Sequence, residues 1–282
     1  MKMIISQSPR ENKTRLAKKL GVSRGMLYYK HKRPKTDEEI KKLILEVLKK
    51  HPAYGHKRIA LELKRNKKQI LRVMKKFGIK PYRRRKTPRK AADEGKVPTR
   101  FPNLVENFCP IRPNVVWVGD FTWIYFNGMF YYLATIMDLY TREIVGWSFS
   151  SHHTTQLVIE AFNDAIKNTK TSPLYFHCDQ GSEYDSTEYI NLMQIHHIKI
   201  SMSRKAHPWE NGYQESFYSN FKLEFGDPDR FEDLGKLIEA FAHAIYYYNH
   251  DRIHTSLKTS PVKFKQKFIL LNREYLFKEL GT

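Results

Sequence analysis

Apolar residues recur every three to four positions through the first third of the chain, which predicts helices. In "TRLAKKLGVSRGMLYYK", Leu16, Leu20, Val22 and Leu27 fit the shared core of two short helices, with small Ala17 where they approach. Gly21 supplies a turn of the kind that needs positive φ, and Ser23 suits the N-cap of the second helix. The pattern is that of a helix-turn-helix, although a plain helical hairpin shares it. A second helical unit follows from about Asp37 to Gly78. Ile40, Leu43, Ile44 and Val47 mark one helix; Ile59, Leu61 and Leu63 a second; Ile70, Val73 and Met74 a third. Gly78 is the expected C-cap and Pro81 the stop. The run "PYRRRKTPRKAADEGKVPTRFPN" has the prolines and charges of a linker.

From Val115 the period changes. "VVWVGDFTWIYF" is rich in β-branched and aromatic residues and predicts a strand. Asn127-Gly128 predicts a hairpin, "MFYYLATIMDLYT" the returning strand and "REIVGWSFS" a third, antiparallel throughout. A helix near Thr154 to Asn168, the short strand "LYFHCD", a helix near Ser186 to His196 and the strand "IKISMS" come next. A further helix carries "PWENGYQESFYSNFKLE", and the last long one runs from about Phe231 to Asn249. The expected class is α/β, a ribonuclease-H-like mixed sheet flanked by helices and preceded by an all-α helix-turn-helix region. The expected divisions are 1–35, 36–80, a basic linker 81–113, the sheet domain 114–270 and a tail 271–282.

Charge adds a partner to this outline. The 282 residues carry a net +21, but unevenly: Met1 to Arg100 holds 33 Lys+Arg against 8 Asp+Glu, and the remainder 17 against 21. A basic front end on a slightly acidic body points to DNA phosphates. Arg24 and Lys30 then lie on or near the helix facing DNA. Arg83, Arg84 and Arg85 either track a phosphate backbone or belong to a tether. Cys109 and Cys178 form no CxxC pair, so a zinc-finger or disulfide framework is not indicated. The start lacks a signal-peptide core, and the most apolar run contains Asp138, too short a run to span a bilayer. A protein without membrane contact, cytoplasmic and nucleoid-associated, is expected.

The body's carboxylates carry the candidate chemistry. Asp120 sits inside a strand among apolar neighbours, where an unpaired charge is costly. Asp179 closes the fourth strand, and strand ends in open α/β sheets are where ligands bind. On the helix begun near Pro208, Asn211 and Lys222 fall within about 40° of Glu215, whereas Glu210 and Glu224 point away toward solvent. Three convergent carboxylates repel one another unless cations neutralise them, and hard oxygen ligands select Mg²⁺ or Mn²⁺. Two such ions suit phosphoryl transfer, with Lys222 holding a DNA phosphate beside them.

These residues also carry a family resemblance. "WVGDFTWI", "HCDQGSEY" and "ENGYQESFYSNFKLE" resemble the three motifs of bacterial insertion-sequence transposases of the OrfB type, with 35 residues between Asp179 and Glu215. "LGVSRGMLYYKHKRP", "YGHKRIALEL" and the closing "YYNHDRIHTSLKTSP" are similar to the start and tail of that family. The resemblance implies an integrase-type DDE core binding two divalent metals, with Asp120, Asp179 and Glu215 as catalytic triad. It implies strand cleavage at element ends and transfer of the freed 3′-hydroxyl into target DNA. Arg252 and His254 match the tail motif, in a structural or a DNA-positioning role. Partners implied are element-end and target DNA, further copies of the chain on that DNA, and a first-frame (OrfA) fusion or partner. Two departures stand out: the turn between Leu63 and Ile70 is short and lacks the usual glycine, and Glu210 replaces the usual aspartate. A metal-dependent nuclease that cuts without joining, and an inactive DNA-binding regulator, are the competing functions.

Overall fold

A computed structural model describes residues 13–28, 33–82, 100–106, 108–204 and 211–280. Lys30, Arg83, Arg84, Arg85, Pro208 and Glu210 lie outside the described residues.

The front end is helical. Helices α1 (Lys13–Lys19) and α2 (Arg24–Tyr28) form the first pair. Helices α3 (Arg33–Lys50), α4 (His56–Glu62) and α5 (Lys67–Lys76) form the second unit. Gly21 ends the turn after α1 at φ 63°, with Val22 N–H donating to Ala17 O and Gly21 N–H to Lys18 O. That bond pair is a Schellman motif, whose left-handed residue is cheapest as glycine. Gly78 repeats it after α5. After α4 the same bond pair forms with Lys64 in the left-handed place, at φ 49°. The missing glycine therefore has not removed the turn; a lysine occupies its conformation.

The helical unit packs onto the far end of the chain. Ile40, Ile44, Ile59, Ile70 and Val73 share their core with Ile253. Tyr54 accepts a hydrogen bond at 2.7 Å from the Ile253 N–H, and His51 Nδ1 meets the Tyr247 hydroxyl at 2.6 Å. Not all the basic residues of α5 face outward unpaired: Arg72 and Lys76 both donate to buried Asp37 and hold its carboxyl well below the usual range.

The body is a five-stranded mixed sheet of order β3-β2-β1-β4-β5. Its strands are β1 (Val116–Phe126), β2 (Met129–Asp138), β3 (Ile144–Ser150), β4 (Tyr175–Cys178) and β5 (Lys199–Met202). The first three are antiparallel; β1–β4 and β4–β5 are parallel. Asn127 and Gly128 close the β1–β2 hairpin with φ 47° and 80°, as a type I′ turn requires. Helices α6 (Thr155–Thr169) and α7 (Thr187–Ile195) cover one face, with Trp117, Ile136, Phe162 and Phe176 in that core. Helices α8 (Gly212–Phe225) and α9 (Leu234–His250) cover the other, with Leu133, Met137, Phe221 and Phe241. A last helix, α10 (Pro261–Leu280), was not foreseen and runs across the division drawn at residue 270. Its Phe264 and Phe268 rings pack on Tyr140 at 5.3 Å. Among the described residues no helix is long and apolar enough to cross a membrane.

Candidate active site

Side chains alternate faces along a strand, and that places the carboxylates. Trp117 belongs to the α6/α7 side, so Asp120, three residues on, lies on the α8/α9 side with Ile124 and Phe126. Phe176 and Cys178 belong to the α6/α7 side, so Asp179 follows His177 onto the other. β1 and β4 pair with Val118 opposite His177. Two residues further along both strands, that register sets Asp120 beside Asp179. Gly119 makes the approach possible: a Cβ there would lie 2.5 Å from the Phe176 ring.

Each aspartate is oriented by a local backbone bond. Asp120 Oδ1 accepts from the Phe121 N–H at 2.8 Å, and Asp179 Oδ1 from the Gly181 N–H at 3.0 Å. The third carboxylate rides on α8, which two side chains dock onto the sheet. Gln214 Nε2 donates to the Val118 and Thr135 carbonyls at 2.6 and 3.1 Å. Tyr218 donates its hydroxyl to the Asp120 carbonyl at 2.7 Å and accepts from Thr135 Oγ1 at 2.9 Å. Glu215 sits between these anchors in sequence and is exposed. Neither Gln214 nor Tyr218 was singled out from sequence. The available signal was their i, i+4 spacing around Glu215, polar groups on what is otherwise the aromatic face of the helix.

The site is strained electrostatically. Burial, then the charge of Asp179, then that of Glu215 push the Asp120 carboxyl up to about 7, against the pull of the Phe121 N–H. Asp179 is also pushed up, by burial and by Glu183, and drawn back by the Gly181 N–H and by His153. Glu183 is itself buried and pairs with His153 Nε2 at 3.2 Å. Carboxylates held up by burial and by neighbouring negative charge are the donor chemistry of a hard divalent cation. Asp120 and Asp179 fit that requirement side by side. Glu215 contributes to the field without closing a coordination shell: among the described residues no three His, Cys, Asp or Glu side chains converge enough to hold a metal ion.

The other expected site residues are placed as follows. Arg24 is exposed on α2. Asn211 is not on the helix face with Glu215: α8 begins at Gly212, and Asn211 precedes it as a buried N-cap residue at φ −106°. Lys222 donates Nζ to the Trp123 carbonyl at 2.8 Å and stands over the indole at 4.3 Å, so it lies on the hairpin. Glu224 does not face solvent, contrary to the helical count. Both its oxygens accept from Arg252 Nε, at 2.9 and 2.7 Å, and Arg58 lies 3.8 Å away. The count assumed a free helix, whereas α4 and the tail cover that side. Arg252 is thereby buried, 2% exposed, and His254 sits beside it.

Comparison with known proteins agrees with this architecture. Residues 110–208 match one integrase core domain family and residues 196–261 a second. The chain is 32% identical over 259 residues to the InsK protein of insertion sequence element IS150 from Escherichia coli (strain K12), covering 87% of this chain and 90% of that one. It is also 32% identical over 255 residues to the transposase of insertion sequence element IS904 from Lactococcus lactis subsp. lactis (strain IL1403), covering 84% of this chain and 99% of that one. In fold it resembles the simian T-cell lymphotropic virus intasome solved with PP2A regulatory subunit B56 gamma. The TM-score is 0.51 at 17% identity, over 75% of this chain and 70% of that one.

Proposed function

Because the chain belongs to the insertion-sequence transposases that carry an integrase core, and is a DNA transposase, we propose that Asp120, Asp179 and Glu215 are its catalytic carboxylates. The observation that carries this reading is the pairing of β1 with β4, which sets Asp120 beside Asp179 and within the field of Glu215. Bound there, divalent cations, two Mg²⁺ or Mn²⁺ ions, would supply charge neutralisation for the attacking and leaving oxygens of phosphoryl transfer. The chain's own residues prepare the place. The Phe121 and Gly181 N–H groups fix the aspartates, and Gln214 and Tyr218 fix the helix that carries Glu215. The reaction is hydrolysis of a strand at the element's end, followed by attack of its 3′-hydroxyl on target DNA.

Arg24 on α2 and the exposed lysines of α5 are the proposed DNA-holding residues of the front end, with Lys30 and Arg83, Arg84 and Arg85 beside them in sequence. Lys222, against Trp123, and Asn211, at the start of α8, are proposed to serve the same end near the scissile strand. The active form is a homo-oligomer on DNA at the nucleoid, with a first-frame protein as fusion or partner. The test incubates the full chain with labelled element-end DNA, Mg²⁺ and a target plasmid. Joined product is expected. Cleavage without joining would replace this reading by a nuclease, and binding alone by a regulator.

A further inference from the structure

We propose that a cavity beside α8, on the same sheet face as the carboxylates, is a binding pocket for a phosphate group gripped by Arg58, Arg142 and Arg252. The cavity measures about 610 Å³. Its polar lining gathers distant parts of the chain, among them Arg58 from α4, Arg142 from the β2–β3 turn, Ser216 and Asn220 from α8, and Arg252 and His254 from the tail.

The donors are in place and unanswered. Arg58 Nε, Arg142 Nη1, Arg252 Nη2 and His254 Nδ1 are all buried, and among the described residues none has a hydrogen-bond partner. Native interiors rarely leave even one such group unpaired. Arg252 is almost wholly enclosed, and the Glu224 carboxylate takes only its Nε. Glu224 is also the carboxylate nearest Arg58. Arg142 has no carboxylate partner among the described residues, and its guanidinium lies over the Tyr213 ring at 3.7 Å. Glu106, in the outer wall, is taken by Arg204 at 2.6 Å. One carboxylate thus faces three guanidiniums. The excess is felt locally: burial, Arg142, Arg252 and Arg58 hold the neighbouring His254 down at about 4, so it is a neutral imidazole at physiological pH.

A phosphate answers this arrangement better than a single carboxylate would. It carries enough acceptor oxygens for forks arriving from several directions, and guanidinium donors match its geometry. The position adds meaning. Val118 and His177 also line the cavity, each two residues before Asp120 and Asp179 on its strand. The cavity wall therefore reaches to about 7 Å down the strands from the carboxylates. As a DNA phosphodiester the phosphate would hold the strand beside the cutting site, a role that rests on the proposed function; as a free anion it would not.

The experiment titrates the full-length protein with inorganic phosphate, and separately with the dinucleotide pTpT, by calorimetry in chloride buffer. Saturable binding of at least one probe is expected, with sulfate competing. Arg142→Gln should weaken it about tenfold, and Arg142→Lys, which keeps charge without the fork, by less. Circular dichroism melting confirms that the variants fold. Asp179→Asn should bind as the parent does, which separates this pocket from the catalytic reading. Binding of inorganic phosphate identifies a free-anion pocket, and binding of pTpT alone a nucleic-acid one. In the unaltered protein the His254 ring resonances should shift with phosphate and stay put with chloride. Failure of both probes to bind, affinity untouched by Arg142→Gln, or an unmoved His254 would each overturn the proposal.

Discussion

Two clusters of like charge lie against α8, one acidic and one basic. On one side burial, and then the charges of Asp179 and Glu215, push Asp120 up to about 7. On the other, burial, and then Arg142, Arg252 and Arg58, push His254 down to about 4. Elsewhere buried charge is answered within the chain: Asp37 by Arg72 and Lys76, Glu143 by Lys265 at 2.9 Å. Net composition hides both clusters, because it sums charges that remain apart in space, and Arg58 reaches the basic one from the front end. Like charges held together without counter-charge are unfavourable to stability, and their persistence marks places where the answering charge arrives from outside.

The sharpest way to break the acidic half is Asp179→Asn. Strand cleavage with Mg²⁺ should fall by roughly a thousandfold or more, while gel-shift affinity for element-end DNA stays within about twofold. Substantial residual turnover would remove Asp179 from the chemistry.

On the basic half, Glu224→Ala strips the one carboxylate from buried Arg252. Urea unfolding should show a loss of about 3–5 kcal/mol, the usual result of orphaning one buried ion-pair partner. The exposed pair of Glu232 with Lys236 supplies the contrast, since Glu232→Ala should cost under about 0.5 kcal/mol. Equal effects would mean that Arg252 is not enclosed in solution.

The acidic cluster also predicts a pH dependence. The Asp120 carboxyl lies above its unfolded value, so between pH 4 and pH 7 the native state holds the extra proton. Metal-free stability should therefore be greatest below pH 4 from this group and decline as pH rises through about 7, by on the order of 4 kcal/mol. Asp120→Asn should flatten that decline in thermal melts, and Mg²⁺ at pH 8 should restore stability to the parent but not to the variant. A parent curve that rises over this range would contradict the crowding of the carboxylates.

The smallest effect concerns the turn after α4. Lys64→Gly should stabilise the chain by about 0.5–1 kcal/mol in urea, because glycine adopts the left-handed conformation freely. A loss of stability would show that the lysine side chain contributes more than its backbone costs.

Some of this was legible in the residues. Asn127-Gly128, the β-branched strand of Asp120, the helix-ending Gly21 and Gly78, and the face carrying Glu215 all act within a few positions of themselves. The misreadings share a cause. Lys64 takes positive φ where a glycine was the expected signal, since surrounding packing outweighs a local preference. Glu224 was assigned to solvent because a helix wheel knows nothing of the segments that will cover it. Arg58 stands inside "YGHKRIALEL" and Arg142 in the turn after β2 without either being marked as a site residue, and Asn211 fell one residue outside its helix.

The sequence by itself determined most of the elements, the alternation of side chains along each strand, and a basic front end before an acidic body. Those follow from backbone geometry and side-chain period, which are local. Only the tertiary structure decided that the front helices pack on the tail, that Glu224 serves Arg252, and that three arginines from distant segments share a cavity beside the carboxylates. Such meetings depend on which surfaces bury one another, and residues nearly two hundred positions apart, such as Arg58 and Arg252, leave no local trace of it.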